Sequence, residues 1–296
     1  MELLRTFIFA PGNHPRKVEK VFSLGADAVI LDLEDAVAVS EKVAARQAVV
    51  EALKRPRPCK GYIRINASDT PFCYGDLLAI VGQGLDGIVL PKVESAAQLL
   101  MIDWLLAQLE HEGGLAAGSI DLLPIIETGK GVAAVREIAA AGSRVRRLSF
   151  GAADYTHDMG MNWTLDEAEL TPARAEIVLA SRVAGLEPPI DTVFAHVGKH
   201  LDALKRTTQL ARDLGFQGKL CIHPEQIAPI HEIFTPTEKE IATAKKILEA
   251  FEAAEASGSA SIQVEGQFID YPIVEKAKRV LAIAEKTGTQ IGRAHV

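Results

Sequence analysis

The chain has 296 residues, of which 48% are hydrophobic, which is enough to bury one large core. The formal net charge is −7 and nothing in the sequence resembles the concentrated basic face of a nucleic-acid-binding protein, so no nucleic-acid partner is expected. Its apolar runs are shorter than the ~18 residues of a membrane span, and the first residues do not resemble a signal peptide. Cys59, Cys73 and Cys221 are far apart and odd in number, which predicts free thiols and a cytoplasmic location.

Eight short, nearly continuous apolar runs recur in the sequence, as expected for parallel strands that are buried on both faces. The runs are Thr6–Ala10, Ala28–Leu33, Gly61–Ile65, Gly87–Leu90, Asp121–Ile126, Arg147–Phe150, Asp191–Ala195 and Lys219–Ile222. Amphipathic helices are predicted between them, for example at Glu41–Leu53, Ala96–Leu109, Gly131–Ala141, Pro172–Ala184 and Lys199–Leu214. Eight strand–helix repeats predict an α/β fold of the (β/α)₈ TIM-barrel type. A doubly wound sheet is the alternative, but no GxGxxG follows the first strand.

The sequence changes character after the eighth run. A long helix rich in Ala, Glu and Lys is predicted over Thr235–Ala256, with Thr235 as its cap and Pro236 in its first turn. The segment IQVEGQFID (262–270) predicts a hairpin, and a last helix is expected over Tyr271–Lys286.

These patterns predict three regions along the chain. A TIM barrel is expected over residues 1–232, and a C-terminal helical arm or lid over residues 233–290. Residues 291–296 follow the last helical pattern, look untethered and resemble a cloning scar.

Polar side chains follow most of the predicted strands, and the carboxyl ends of barrel strands are where the chemistry of this fold is found. They are Asp32, Glu34, Asp35, Arg64, Asn66, Lys92, Glu94, Glu127, Asp154 and His223. Each has a structural explanation, such as a helix cap for Asp35, a buried structural role for Asp32 or a solvated loop for Lys92. The convergence of several acids and one arginine on one rim indicates an active site, in which Glu34 is a catalytic candidate.

Two of these acids predict a metal site. Glu127 and Asp154 follow adjacent strands and suit Mg²⁺, which uses few protein ligands and lets the substrate complete its shell. Zinc is disfavoured because the sequence has no HxxxH or Cys–His set. Arg64 offers a bidentate fork for a substrate carboxylate, so metal and arginine together suggest an α-keto acid or its enolate. Lys92 is the only rim lysine that Schiff-base chemistry could use, and that chemistry is disfavoured.

Eight segments of the sequence resemble one known family, and the resemblance runs from residue 5 to about residue 285. The family is the citrate lyase β-subunit-like, or malyl-CoA/citramalyl-CoA lyase, group of the HpcH/HpaI aldolase superfamily. The segments are RTFIFAPGNHPRKVEK (5–20), GADAVILDLEDAV (25–37), YIRINA (62–67), GLDGIVLPKVES (84–95), LLPIIETGKGV (122–132), FGAADYTHDMG (150–160), GFQGKLCIHPEQI (215–227) and VEGQFIDYPIVEKA (264–277). Together they are highly specific, whereas each alone is weak.

The resemblance implies a TIM barrel that assembles into homotrimers or hexamers. It implies that Glu127 and Asp154 bind Mg²⁺ and that Glu127 also touches the substrate. Arg64 looks like the family arginine that holds the carboxylate of the keto-acid half. Asn13, in APGN, and Lys17 look like parts of the site for CoA or another thioester carrier.

The resemblance also gives the C-terminal arm a role. Asp270 matches the acid of a lid that closes over a neighbouring subunit and acts as general acid or base at the acyl-thioester carbon. A structural alternative is that Asp270 caps the helix that starts at Tyr271 with Pro272 in its first turn.

Two residues depart from the family pattern. Ala153 stands where many relatives have an acid before the metal aspartate, and His196 stands where relatives commonly have an aspartate. Because of these two departures, the sequence does not determine which acyl group the substrate carries. His223 fits the family pattern and is expected to be a structural hydrogen-bonding residue rather than a catalyst.

The predicted activity is Mg²⁺-dependent cleavage, or formation, of a hydroxyacyl thioester such as malyl-CoA, citramalyl-CoA or citryl-CoA, giving a keto acid and an acyl thioester. One alternative is a malyl-CoA thioesterase, and another is the β subunit of a citrate lyase complex that acts on citryl-acyl-carrier protein. An aldolase for free keto acids and aldehydes is less favoured, because such short relatives generally lack the arm.

Overall fold

A computed structural model of the chain describes residues 3–256, 258–259, 261–264 and 266–288. The chain divides into two compact units, one formed by Leu3–His231 and one that begins at Glu232. The tail predicted at residues 291–296 lies outside the described residues. Within those residues, every helix is too short or too polar to cross a lipid bilayer.

The first unit is a closed barrel of eight parallel strands, β1 to β8 in chain order, so the predicted TIM-barrel fold is confirmed. The strands are β1 Thr6–Pro11, β2 Ala28–Asp32, β3 Lys60–Arg64, β4 Gly87–Leu90, β5 Asp121–Ile126, β6 Ser149–Phe150, β7 Ile190–Asp191 and β8 Gly218–Cys221. The barrel closes between β1 and β8, where Thr6, Phe7 and Ile8 pair with Lys219, Leu220 and Cys221. Each of the eight predicted runs overlaps one strand.

Helices α1 to α10 follow the strands of the barrel. They are α1 Pro15–Val21, α2 Lys42–Leu53, α3 Cys73–Ile80, α4 Ala96–Glu112, α5 Gly129–Ala133, α6 Val135–Ala139, α7 Ala152–Asp158, α8 Thr171–Val183, α9 Leu201–Leu214 and α10 Ile227–Phe234. The helix predicted at Gly131–Ala141 is divided into α5 and α6. The joint is local, because Ala134 N–H still donates to Lys130 O at 3.0 Å.

The barrel interior is filled with apolar side chains from seven of the eight strands. Phe7, Ile30, Tyr62, Val89, Leu123, Ile125, Ile190 and Leu220 are among the buried residues of one core cluster. Because these strands are covered by helices outside and by this core inside, they read in the sequence as continuous apolar runs. The packed core also directs polar side chains to the strand ends, where the candidate site lies.

The second unit contains α11 Glu238–Ala256, a two-stranded antiparallel sheet of β9 Ile262–Val264 and β10 Gln267–Ile269, and α12 Tyr271–Lys286. The predicted hairpin and last helix are present, although Glu265, at which the turn was predicted, lies outside the described residues. The cap predicted for α11 was wrong by two residues. Thr237 caps this helix, because its hydroxyl accepts from Glu240 N–H at 3.2 Å and its own N–H donates to the Glu240 carboxylate at 2.7 Å.

Candidate active site

The carboxyl ends of β2 to β5, with the first turn of α7, bring four predicted residues to the mouth of the barrel. Arg64 is the last residue of β3, Glu34 and Glu127 lie beyond the ends of β2 and β5, and Asp154 lies in the first turn of α7. Glu34 and Glu127 are buried at 5% and 3% exposure. This concentration of charge in a largely buried setting is typical of a catalytic site.

Arg64 is oriented by Asp32. Its Nε and Nη2 donate to the two Asp32 oxygens at 2.7 and 2.6 Å, and its guanidinium lies 4.9 Å from the centre of the Phe9 ring. Burial alone would lower the pKa of Arg64, but the Asp32 carboxylate raises it, so the residue is a permanent cation. The structural role predicted for Asp32 agrees with these contacts. The N–H groups that remain on Nη1 and Nη2 are the part of Arg64 that can grip a substrate.

Glu34 lies between two cations. Its Oε2 is 2.9 Å from Arg64 Nη1, and its Oε1 accepts a short hydrogen bond from Lys92 Nζ. Burial raises the pKa of the Glu34 carboxyl, and the two cations oppose this rise. Asp35 does not cap a helix; it is exposed, and its Oδ2 lies 3.4 Å from Lys92 Nζ.

Glu127 is a buried acid whose pKa is strongly raised. Burial raises the pKa of its carboxyl to about 8, and the neighbouring Asp154 and Glu34 carboxylates add to this rise while Arg64 opposes it. Its Oε1 accepts the Lys92 backbone N–H at 2.8 Å. Gly151 leaves room for the side chain, because a Cβ at this position would lie 2.7 Å from Glu127 Cβ.

Asp154 differs from its neighbours in having no close partner. Its side chain is 33% exposed, and its nearest cation is Lys92 Nζ at 3.9 Å. Within the described part of the chain, neither Asp154 nor Glu127 Oε2 accepts a hydrogen bond, so both keep lone pairs for another ligand.

These two carboxylates fit Mg²⁺. The ion prefers carboxylate oxygens, keeps several waters and is commonly held by one or two protein acids. The described residues contain no group of three or more His, Cys, Asp or Glu that could hold a metal by themselves. A Mg²⁺ ion at Glu127 and Asp154 would therefore take the rest of its shell from water and substrate.

The predicted carrier-binding residues lie beyond the end of β1. Asn13 donates to Glu41 through its amide nitrogen, while its amide oxygen is buried and has no partner among the described residues. Lys17 is exposed on α1 and lines a groove of about 270 Å³ with Phe9 and His223. The groove has both an apolar wall and a cation.

Asp270 belongs to the second unit and is the N-cap of α12. Its Oδ1 accepts from Ile273 N–H at 3.5 Å, with Pro272 in the first turn of the helix. The capping interpretation of Asp270 therefore agrees with the structure, and its catalytic role stays a prediction.

The family departures lie at the same end of the barrel. Ala153 and His196 are exposed, and the His196 ring packs 5.6 Å from the ring of His200. His223 caps a short 3₁₀ turn, because its Nδ1 accepts from Glu225 N–H at 3.4 Å. This contact agrees with the structural role predicted for His223.

Lys92 has more contacts in the site than its sequence position predicts. Beyond the predicted Schiff-base or solvated-loop roles, its ammonium and its backbone N–H both contact acids of the site. Burial would lower the pKa of Lys92, but the hydrogen bond that its ammonium donates to the Glu34 carboxylate raises it, which disfavours a neutral amine. The sequence indicated a role for Lys92 only through its position after β4. Its left-handed backbone, with φ of 52°, could not be predicted, because this conformation is uncommon in residues other than glycine.

Comparison with known proteins places the chain in a family. Residues 5–224 match the family model described as HpcH/HpaI aldolase/citrate lyase, and residues 168–286 match that of carbon–carbon bond lyases of the TIM-barrel fold. The citrate lyase subunit beta of Leuconostoc mesenteroides subsp. cremoris is 40% identical over 95% of this chain and 93% of its own. An L-malyl-CoA/beta-methylmalyl-CoA lyase of Cereibacter sphaeroides is 37% identical over 95% of this chain and 94% of its own.

A solved structure is similar over nearly the whole chain. It is protein CitE from Mycobacterium tuberculosis in complex with magnesium, acetoacetate and coenzyme A, with a TM-score of 0.78 and 29% identity over 96% of this chain and 98% of that one. The chain belongs to the HpcH/HpaI aldolase/citrate lyase family, so the predicted family and the predicted lyase class are confirmed.

Proposed function

We propose that this protein is a Mg²⁺-dependent lyase that cleaves, or forms, the carbon–carbon bond of a hydroxyacyl thioester such as malyl-CoA, citramalyl-CoA or citryl-CoA. The observation that carries the proposal is the pair of acids at the barrel mouth, in which Glu127 is buried and Asp154 is 33% exposed, with its nearest cation 3.9 Å away. The CitE relative, which binds magnesium, acetoacetate and coenzyme A, supports the same set of ligands here.

In the proposed reaction, Arg64 holds the carboxylate of the keto-acid half through the N–H groups that Asp32 leaves free. When bound, Mg²⁺ supplies a Lewis acid for the oxygen that becomes the keto group. A base takes the hydroxyl proton, the C–O bond becomes a carbonyl, and the electron pair of the broken C–C bond passes to the thioester half as an enolate. Asp270 from the lid of a neighbouring subunit, the role that the family resemblance implies, then gives its proton to the enolate carbon. Condensation is the reverse.

Glu34 remains a catalytic candidate in this scheme. Burial raises the pKa of its carboxyl above the ordinary value, which favours a group that takes up and releases a proton. Its contacts with Arg64 and Lys92 also support a role in holding Arg64 in place. A test is Glu34→Gln, which keeps the shape of the side chain but removes the proton acceptor.

The carrier half of the substrate is assigned to the region that follows the carboxyl end of β1, around Asn13 and Lys17. The groove beside Lys17 offers an apolar wall and a cation, and the unpaired amide oxygen of Asn13 offers an acceptor. We assign coenzyme A, or the equivalent arm of an acyl-carrier protein, to this region.

A homotrimer or hexamer in the cytoplasm is part of the proposal. The assembly is supported by exposed apolar side chains on α3 and α4, namely Tyr74, Leu78 and Trp104. The cytoplasmic location is supported by the three free cysteines. Light scattering coupled to size-exclusion chromatography measures the oligomeric state directly, and a monomer at micromolar concentration would contradict the assembly.

The main experiment is an activity screen of the purified protein with malyl-CoA, citramalyl-CoA, β-methylmalyl-CoA and citryl-CoA, with Mg²⁺ and with EDTA. We expect one thioester to release a keto acid only when Mg²⁺ is present. Release of the free hydroxy acid instead would identify a thioesterase.

A second candidate function is the β subunit of a citrate lyase complex, favoured by the 40% identity with the Leuconostoc subunit. It predicts activity with citryl-acyl-carrier protein and little with citryl-CoA. Assays with both carriers at equal concentration separate the two functions.

The proposed proton donor has its own test, Asp270→Asn. Asparagine is as good an N-cap as aspartate, so α12 should keep its stability while the acid is lost. We expect turnover to fall by about 100-fold or more, with keto-acid binding and the melting temperature unchanged. Asp270→Ala is the control for the cap, and equal turnover of Asp270→Asn and wild type would remove Asp270 from the mechanism.

A further inference from the structure

Lys92 adopts a backbone conformation that is unfavourable for a side chain with a Cβ. Its φ of 52° lies in the left-handed region, which an ordinary residue adopts less readily than the right-handed one. The residue directly follows Pro91 at the end of β4, and the chain rejoins the sheet at once because Val93 N–H donates to Ile125 O at 3.2 Å. Such an outlier at a site calls for a functional explanation.

One consequence of this conformation is the position of the Lys92 amide. Its N–H donates to Glu127 Oε1 at 2.8 Å and fixes one oxygen of that carboxylate. The other oxygen, Oε2, accepts no hydrogen bond within the described part of the chain. The amide therefore orients the carboxylate and leaves Oε2 as its oxygen without a hydrogen-bond partner among the described residues.

The second consequence is the position of the Lys92 ammonium. Nζ donates a short hydrogen bond to Glu34 Oε1 and lies 3.4 Å from Asp35 and 3.9 Å from Asp154. One cation thus faces acids from the loop after β2 and from α7. Without it, Glu34 would be a third acid beside the Glu127–Asp154 pair with only Arg64 as a counter-ion.

We propose that Lys92 is a positioning residue that keeps the metal site a two-carboxylate site. Its amide orients Glu127, and its ammonium holds Glu34 and keeps that carboxylate off the ion. Two protein ligands leave coordination positions on Mg²⁺ for the substrate, whereas a third carboxylate would occupy one of them. The inference rests on the proposed function, since it assumes a divalent ion at Glu127 and Asp154.

The test is the affinity of the protein for Mn²⁺, measured by titration with detection of free Mn²⁺ by electron paramagnetic resonance. Lys92→Met removes the charge and keeps a side chain of similar length with the same left-handed backbone. We expect Mn²⁺ to bind about five- to tenfold more tightly, chiefly because the Glu34 carboxylate that Lys92 held is then free to bind the ion. We also expect turnover of the thioester to fall while the KM for the keto acid rises in the condensation direction.

Two further variants isolate the two parts of the inference. Lys92→Arg keeps the charge and should keep the wild-type Mn²⁺ affinity. Lys92→Met combined with Glu34→Gln should lose most of the gain in affinity, because the freed carboxylate is then absent. Lys92→Gln replaces Lys92→Met if the latter does not fold.

A residue that only supports the loop would behave in the opposite way. Its replacement would weaken Mn²⁺ binding or leave it unchanged, and either result would overturn the proposal. The metal titration does not depend on the substrate, so failure of the thioester screen and failure of this inference are separate outcomes.

Discussion

Two clusters of charge in the barrel unit differ in how completely their members are paired. At the mouth, Asp154 is 33% exposed and has no cation within hydrogen-bond distance. The second cluster lies between α8, β7 and β8, where Arg174, Asp191 and Lys219 are all buried. Arg174 Nε and Lys219 Nζ lie 2.8 and 2.5 Å from the Asp191 carboxylate.

The pKa values of Asp191, in the buried cluster, and of Glu127, at the mouth, are shifted in opposite directions. In the buried cluster, burial would raise the pKa of Asp191, but Lys219 and Arg174 lower it, so the charge is compensated. At the mouth, burial raises the pKa of Glu127 to about 8, so the charge is not compensated by the chain. The cluster around Asp191 is closed, in that its charges are paired within the chain, and it stabilises the fold. The cluster at the barrel mouth is open, in that its acids keep unpaired charge, and it can bind a positively charged ligand.

The largest expected effect is the loss of Mg²⁺-dependent activity in Glu127→Ala and in Asp154→Ala. Each removes a proposed metal ligand, so keto-acid release should fall by at least about 100-fold while the fold is retained. Asp166→Asn, which changes an exposed carboxylate paired with Arg206, is the matched control and should be fully active. Near-normal, Mg²⁺-dependent activity of either alanine variant would show that the open cluster is not the metal site.

The next largest effect is a loss of stability when the buried cluster around Asp191 is disrupted. Arg174→Met leaves the buried Glu167 without its cation and Asp191 with one cation fewer, so the free energy of unfolding should fall by about 3 kcal/mol or more. Urea denaturation measures this change. Arg136→Met, in an exposed pair with Glu176, should cost less than about 1 kcal/mol. Mn²⁺ affinity of folded Arg174→Met should equal that of the wild type; a tenfold loss would mean that the two clusters are coupled.

The smallest effect is the pH dependence of stabilisation by Mg²⁺. Because the pKa of Glu127 is raised in the folded protein, its contribution to stability is present below the unfolded pKa of about 4.5 and is lost as pH rises toward 8. Mg²⁺ offsets this loss by binding the ionised carboxylate. The rise in melting temperature on adding Mg²⁺ should therefore be larger at pH 8.5 than at pH 6.

Glu127→Gln is the control for this pH effect. It has no ionisable group at that position, so Mg²⁺ should stabilise it little at either pH. An equal rise in melting temperature at both pH values in the wild type would contradict the raised pKa of Glu127.

The strand and helix pattern was readable because burial on both faces of a barrel strand leaves a continuous apolar run. The ends of short strands were less readable. Only Ser149–Phe150 and Ile190–Asp191 pair in β6 and β7, although longer apolar runs were predicted there. Hydrogen bonding to both neighbours sets these limits, and composition does not.

Side-chain partners were the least predictable part of the site. Arg64 could be predicted as an anchor for a substrate carboxylate. Its guanidinium also donates to Asp32 through Nε and Nη2, and this contact depends on β2 and β3 lying side by side in register. The left-handed backbone of Lys92 and its bridge between acids of different loops also arise only when the barrel closes.

The sequence by itself determined the barrel, the family and the residues at the strand ends, because local periodicity and short motifs record which positions are buried. Only the tertiary structure decided which of these charges are paired. Pairing depends on distances between residues far apart in the chain, and it separates Asp32, which orients Arg64, from Asp154, which is left for a ligand.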